Sequence, residues 1–285
     1  MALVAAVAVL SLVAGPALAG SSPDVNADTV GCYMPGAEDV WAFSVANTAG
    51  SQGPAYPYTL FGDPAATSSP VAGKFGGGNV TGVAVYAETD VGGGVMHGLW
   101  QAIDNVTGGP APTNYYALPI AETHAGSNRP IALAGNWAGN GSPGVGLYYP
   151  DIGTFVIDTN PGSPTVIEPF LFGPSTTPAD MVPLVGDFNG DGNDTVGVYE
   201  KSTSIFYLTN NIASGAELAN NVLNLVVFQF GDPSNGMVPI VGDWDLVGGD
   251  SVGLYDAATS TVRLNNQNAA GPSDIIATFA GVDAT

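Results

Sequence analysis

"LVGDFNGDGNDTVGVY", residues 184–199, crowds Asp187, Asn189, Asp191 and Asp194 into one glycine-rich loop between two apolar runs. Only 10% of the chain is charged, so three carboxylates in so short a loop need a physical reason. The flanking runs, rich in Val and Tyr, read as short strands, and the Gly, Asn and Asp between them read as a tight turn.

The stretch recurs. "VPIVGDWDLVGGDSVGLYD" at 238–256 repeats "VPLVGDFNGDGNDTVGVYE" at 182–200 in register. "RPIALAGNWAGNGSPGVGLYY" at 129–149 and "SPVAGKFGGGNVTGVAVYA" at 69–87 are further copies, and "DVNADTVGCYM" at 24–34 retains the second half of one. Tyr33, Tyr86, Tyr148, Tyr199 and Tyr255 fall in one column, 53, 62, 51 and 56 residues apart. That spacing defines an internal repeat, with approximate bounds 20–69, 70–129, 130–182, 183–238 and 239–285.

Each copy opens on a Pro-led apolar run, passes through the polar loop and enters a second run. A third run follows in "DVWAFSV", "GTFVIDT", "SIFYLTN" and "TVRLNN". A fourth ends on a shared turn in "YPYTLFGDP", "EPFLFGP", "LVVFQFGDP" and "IIATFAG". Four short strands per repeat, with 40 Gly and 22 Pro as punctuation, predict an all-β chain. Five such repeats predict a β-propeller of four-stranded antiparallel blades, five blades in number. A lone blade leaves both faces open, so Phe75, Trp137, Phe188 and Trp244 should pack between blades.

The copies resemble the FG-GAP/VCBS-type repeats of integrin-alpha-like propellers and of many secreted bacterial proteins. The resemblance spans most of residues 21–285 and is strongest over 182–285. It implies a propeller that carries Ca²⁺ in the loop between the first two strands of a blade, and it does not imply an enzyme.

The residues of that loop suit such an ion. Calcium takes six to eight oxygens, and alternate positions of a tight loop can turn their side chains to one centre. Asp187, Asn189 and Asp191 hold the first, third and fifth positions, Asn193 offers a carbonyl, and Asp194 closes the loop one residue earlier than in the resembling family. Asp243, Asp245 and Asp250 form a second expected site, with Val247 where Asp191 stands. An Asx-rich turn without an ion fits the same letters. The third copy has Asn136 and Asn140 in place of acids, the second has Lys74, and the first keeps Asp24, Asn26 and Asp28. With dissociation constants of about 10⁻⁴–10⁻³ M and millimolar calcium, each site would contribute roughly 0.4–1.4 kcal/mol. The metal would tighten loops rather than decide the fold.

Twenty-five acids against four bases give a net charge of −21, which repels nucleic acid and anionic lipid. Cys32 is the only cysteine, so no intrachain disulfide can form. Residues 1–19 end an apolar stretch in Ala-Leu-Ala and resemble a secretory leader cut after Ala19, without its usual basic start. That reading expects a helical or loose N-terminus wherever the segment is retained. A competing reading lays "GPALAG" at 15–20 over "RPIALAG" at 129–135 as a first strand.

Catalysis needs one asymmetric constellation, whereas the acids here repeat. His97 and His124 lack metal-ligand spacing, and no nucleophile elbow or phosphate loop occurs. The expected function is a secreted or cell-surface binding or adhesion module, a monomer that recognises extracellular protein or glycan through unequal polar loops. These are "SVANTAGSQGPA", "ETDVGGG", "IDNVTGGPAPTN" and "NNIASGAELANN". The alternatives are a five-bladed glycoside hydrolase and a purely architectural matrix protein.

Overall fold

The computed structural model describes the backbone of strands at 11–14, 30–34, 39–43, 58–60, 69–73, 82–90, 96–103 and 114–117. It describes 130–141, 144–160, 166–174, 178–212, 225–233, 236–245 and 247–278 more fully. The chain is all-β. Among the described residues, 20 strands form five four-stranded antiparallel sheets, each built from four consecutive strands. The first sheet comprises β1 (Ser11–Ala14), β2 (Val30–Met34), β3 (Asp39–Phe43) and β4 (Tyr58–Leu60). The second comprises β5 (Ser69–Gly73), β6 (Gly82–Asp90), β7 (Met96–Ile103) and β8 (Asn114–Ala117). The third comprises β9 (Ile131–Gly135), β10 (Gly144–Tyr149), β11 (Thr154–Asp158) and β12 (Val166–Leu171). A single 3₁₀ turn, Pro178–Asp180, leads into the fourth: β13 (Met181–Gly186), β14 (Thr195–Glu200), β15 (Ile205–Thr209) and β16 (Leu225–Gln229). The fifth holds β17 (Val238–Gly242), β18 (Ser251–Asp256), β19 (Thr261–Leu264) and β20 (Ile275–Thr278).

Register follows the sequence repeat. The five tyrosines of the column stand opposite Ser11, Ser69, Ile131, Val182 and Val238 on the first strands. On the third strands they stand opposite Trp41, Trp100, Phe155, Phe206 and Val262. The rung continues to Tyr58, Tyr116, Phe170, Phe228 and Ala277 on the fourth strands. Four sheets thus carry an unbroken aromatic row. In the third sheet the Tyr148–Phe155 and Phe155–Phe170 centroids are 4.7 and 5.5 Å apart. In the fourth, Tyr199–Phe206 and Phe206–Phe228 lie at 4.6 and 5.4 Å. Neighbouring rings tilt or stack at distances where such pairs add to the burial of their area.

Among the described residues, two core clusters lie between consecutive sheets and a third lies on the fifth sheet. Tyr148, Phe155, Phe170 and Trp137 of the third sheet pack with Met181, Val196 and Val198 of the fourth. Tyr199, Phe206, Phe228 and Phe230 of the fourth pack with Met237, Val241, Val252 and Leu254 of the fifth. Alternation along β14 explains how one strand serves both interfaces: Val196 and Val198 face one neighbour, and Tyr199 the other. All six β14 residues are buried, whereas β16 exposes four of its five. Burial therefore falls towards the last strand of the sheet. The first strands also touch one another in order, β1 on β5, β5 on β9, β9 on β13, β13 on β17, and β17 on β1.

Trp137 is buried between the third and fourth sheets and Phe188 packs against the core between the fourth and fifth, as their column anticipated, whereas Trp244 is buried among residues of its own sheet. Phe75 lies outside the described residues. Two features depart from the sequence reading. Residues 11–14 form a strand paired with β2, not a helical or loose end, because a small apolar run satisfies its backbone equally well along a neighbouring edge. Residues 16–20, offered as that strand, lie outside the described residues. The second departure is that "ETDVGGG" is not wholly a loop: Glu88–Asp90 complete β6 opposite Gly98–Met96 of β7.

Phe206 is fully buried at the centre of its row. Phe206→Ala should cost about 3–5 kcal/mol in urea unfolding, with an unchanged denaturant slope. A loss below about 1 kcal/mol would mean that the row is not part of the core.

Candidate functional site

Each loop between the first two strands begins at a repeated position: Asn136, Asp187 and Asp243 in the third, fourth and fifth sheets. In the fourth sheet the loop is a mesh of Asx turns. Asp187 accepts the backbone N–H of Asp191 at Oδ1 (3.0 Å) and that of Gly192 at Oδ2 (2.7 Å). Asn189 accepts the Asp191 N–H (3.2 Å) and donates its amide to Asp191 Oδ2 (2.9 Å). Asp191 Oδ1 accepts both the backbone and the side-chain amide of Asn193, at 2.8 and 2.7 Å. These bonds, the Asn189 and Asn193 side chains first, hold the exposed Asp191 carboxyl below its ordinary range. In the fifth sheet Asp245 accepts the Val247 N–H (2.9 Å) in the same kind of turn.

The closing aspartates reach across to the neighbouring sheet. Asp194 accepts the Asn136 N–H at Oδ2 (2.5 Å), and its own N–H donates to the Asn136 carbonyl (3.1 Å). Asp250 repeats this with Asp187: its Oδ2 accepts the Asp187 N–H (2.8 Å), and its N–H donates to the Asp187 carbonyl (2.7 Å). Each such aspartate therefore clasps the first loop residue of the preceding sheet by two reciprocal bonds. Asn136 adds a third between the third and fourth sheets, donating its side-chain amide to the Gly192 carbonyl (2.7 Å).

The clasp explains the glycine before the loops of the third and fourth sheets. A Cβ on Gly186 would stand 2.6 Å from Val241 Cγ1 and 2.9 Å from Asp250 Oδ2. On Gly135 it would stand 2.9 Å from Val185 Cγ1 and 3.1 Å from Asp194 Cβ. The "VGD" motif thus combines a residue without a side chain, where the next sheet approaches, with the residue whose backbone that sheet clasps. Just after the clasps, Ser251 donates its hydroxyl to the Gly242 carbonyl (3.4 Å), and the Thr195 hydroxyl lies 2.6 Å from the Thr209 carbonyl, its nearer acceptor, and 3.2 Å from that of Gly186.

The expected metal ligands are therefore present but differently employed. Asp187, Asn189, Asp191 and Asn193 are drawn together by the turn, while Asp194 and Asp250 bond to adjacent sheets. Among the described residues, no three His, Cys, Asp or Glu side chains are grouped to hold an ion. Oxygen-only donors match a hard cation in chemistry, but the Asp187, Asn189 and Asp191 side-chain oxygens already accept N–H groups of the turn. Asp24, Asn26, Asp28, Lys74 and His124 lie outside the described residues. His97 stands opposite Thr89 within the second sheet.

What sequence reasoning missed is the electrostatic coupling between loops. Burial pushes the Asp250 carboxyl up to about 7, and the nearby Asp194, Asp187 and Asp243 push in the same direction, against the Asp187 N–H that lowers it. The signal available in the sequence was the recurrence of Asp immediately before the second strand at 194 and 250. Its partner, roughly a repeat away, could not be read.

Compared with known proteins, the chain matches no family model, and no curated sequence or solved structure matches it significantly.

Two outcomes follow. Asp250 binds its proton more tightly folded than unfolded, so its stabilising contribution is complete below 3.8 and is lost as pH rises through about 7. Asp250→Asn keeps an acceptor and removes the charge. Relative to the parent, its stability should rise by on the order of 4 kcal/mol between pH 4 and pH 8, measured by denaturant titration at each pH. A difference that does not vary with pH would refute the assignment. Gly186→Ala should cost about 1–3 kcal/mol, and a neutral result would mean that the sheets do not approach there.

Proposed function

We propose that the five sheets are the blades of a single five-bladed β-propeller of the FG-GAP/VCBS-like kind. On this reading the protein is a secreted or cell-surface binding module for extracellular protein or glycan. The observation that carries the architecture is the succession of first-strand contacts, each on the next and the fifth back on the first. Radial stacking is the arrangement that covers both faces of every four-stranded sheet while leaving only outer edges open. The placement of two core clusters between consecutive sheets, and of exposed residues on β16, agrees with it.

A binding role, rather than catalysis, is supported by the use made of the acids. Asp194 and Asp250 perform the same repeated task, and Asp187 and Asp191 serve their own turn. Chemistry would need one site unlike the others. A net charge of −21 favours cationic or neutral ligands and opposes nucleic acid. Among the described residues no helix is long and apolar enough to cross a membrane.

Calcium belongs to this proposal as a stabiliser. Asp187, Asn189 and Asp191 would supply its side-chain oxygens in the fourth sheet, with Asn193 beside them, and Asp243 and Asp245 would do so in the fifth. The ion would offset repulsion within the turn and leave the closing aspartates to the neighbouring sheet.

Purified glycans and extracellular matrix proteins on an array, probed with the intact protein with and without chelator, test the binding role. Saturable capture of a defined ligand is expected, and turnover of a glycan instead would overturn the reading. Calorimetric titration of chelated protein should show calcium heat that disappears in the Asp187→Ala, Asp191→Ala double variant. No heat at millimolar calcium would leave the loop a turn and nothing more.

A further inference from the structure

The segment that looks most disposable in the sequence occupies a strand position in the first sheet. β1 pairs antiparallel with β2 through Ser11↔Tyr33, Leu12↔Cys32, Val13↔Gly31 and Ala14↔Val30. It also lies against β5 and β17, the first strands of the second and fifth sheets. "SLVAG" at 11–15 repeats "SPVAG" at 69–73 in all but one letter. The correspondence extends to register: Ser69 stands opposite Tyr86 as Ser11 stands opposite Tyr33, and Val71 and Ala72 meet the two matching positions of β6.

We propose that residues 11–14 are a permanent strand of the first sheet, so that the leader-like segment is retained in the folded protein instead of being removed after Ala19. Without β1, the edge of β2 would present unpaired N–H and C=O groups between β5 and β17. An open edge beside neighbouring strands is what folded β-proteins avoid. The resemblance to a leader has a plain origin, since a strand made of small apolar residues shares its composition with the apolar core of an export signal. The inference does not depend on the binding role.

A rival strand is written into the same segment. "PALAG" at 16–20 repeats "IALAG" at 131–135 in all but one letter, and Gly20 precedes Tyr33 by the same 13 residues that separate Gly135 from Tyr148. Pairing in that register would set Ala17, not Leu12, opposite Cys32. Residues directly opposite on antiparallel strands share a face and approach closely enough for a disulfide.

The lone cysteine makes the two registers distinguishable. Leu12→Cys, Val13→Cys and Ala17→Cys are made separately in the full chain, and each is incubated with oxidised glutathione and assayed for free thiols and intact mass. Leu12→Cys should lose both thiols and two hydrogen atoms in mass, forming an intrachain disulfide with Cys32. Val13→Cys, which stands opposite Gly31, and Ala17→Cys should keep theirs. Closure in Ala17→Cys alone would overturn the assignment of 11–14, and closure in none of the three would overturn the strand itself. Intact mass of exported full chain gives an independent readout: an N-terminus at or before Ser11 is expected, and one at Gly20 contradicts the proposal.

Discussion

A backbone N–H of one sheet, accepted by a carboxylate of the next, sets how closely these sheets approach, and the rest of the arrangement depends on that distance. A four-stranded sheet has two faces to cover and cannot cover either by itself. The Asp194–Asn136 and Asp250–Asp187 clasps hold the starts of the strands together. With Gly135 and Gly186 at the same level, no side chain separates the backbones. Each clasp pairs a partly buried side-chain acceptor with a backbone donor, and such a bond costs more to leave half made than it contributes net.

Away from the loops, the same approach brings the aromatic rows against aliphatic faces. Tyr199, Phe206 and Phe228 meet Val252 and Leu254, while Tyr148, Phe155 and Phe170 meet Val196 and Val198. Large rings on one face meet small branched residues on the other, the pairing of unequal volumes that close packing needs. The shared turn after the fourth strand obeys the same geometry. Gly173 and Gly231 adopt φ of +97° and +95°, and a Cβ at either would run into Val198 or Leu254 of the following sheet. The recurring "FG" of the sequence is therefore a packing requirement as well as a turn.

The repeat was legible because its tyrosines, glycines and loop lengths recur, and recurrence survives the substitution of individual letters. The strands of the third, fourth and fifth sheets follow directly from it. β7 and β8 of the second sheet were not read, because Met96–Ile103 and Asn114–Ala117 carry no shared turn to announce them. The strand at 11–14 was not legible, since composition alone cannot tell a small apolar strand from a short apolar helix. The acids were legible as a cluster but not in their task. Asp187, Asn189 and Asp191 are a local turn that spacing reveals, whereas Asp194 and Asp250 bond to residues 58 and 63 positions away. Contacts between repeats leave no periodic trace inside a single repeat.

The closing aspartates join sheet to sheet through backbone hydrogen bonds, a role that needs no ion. Asp194→Ala, unfolded in denaturant in parallel with calcium and with excess chelator, measures this directly. The account predicts a loss of about 1–3 kcal/mol that is the same in both buffers. A loss seen with calcium and abolished by chelator would contradict it, because Asp194 would then act through a bound metal.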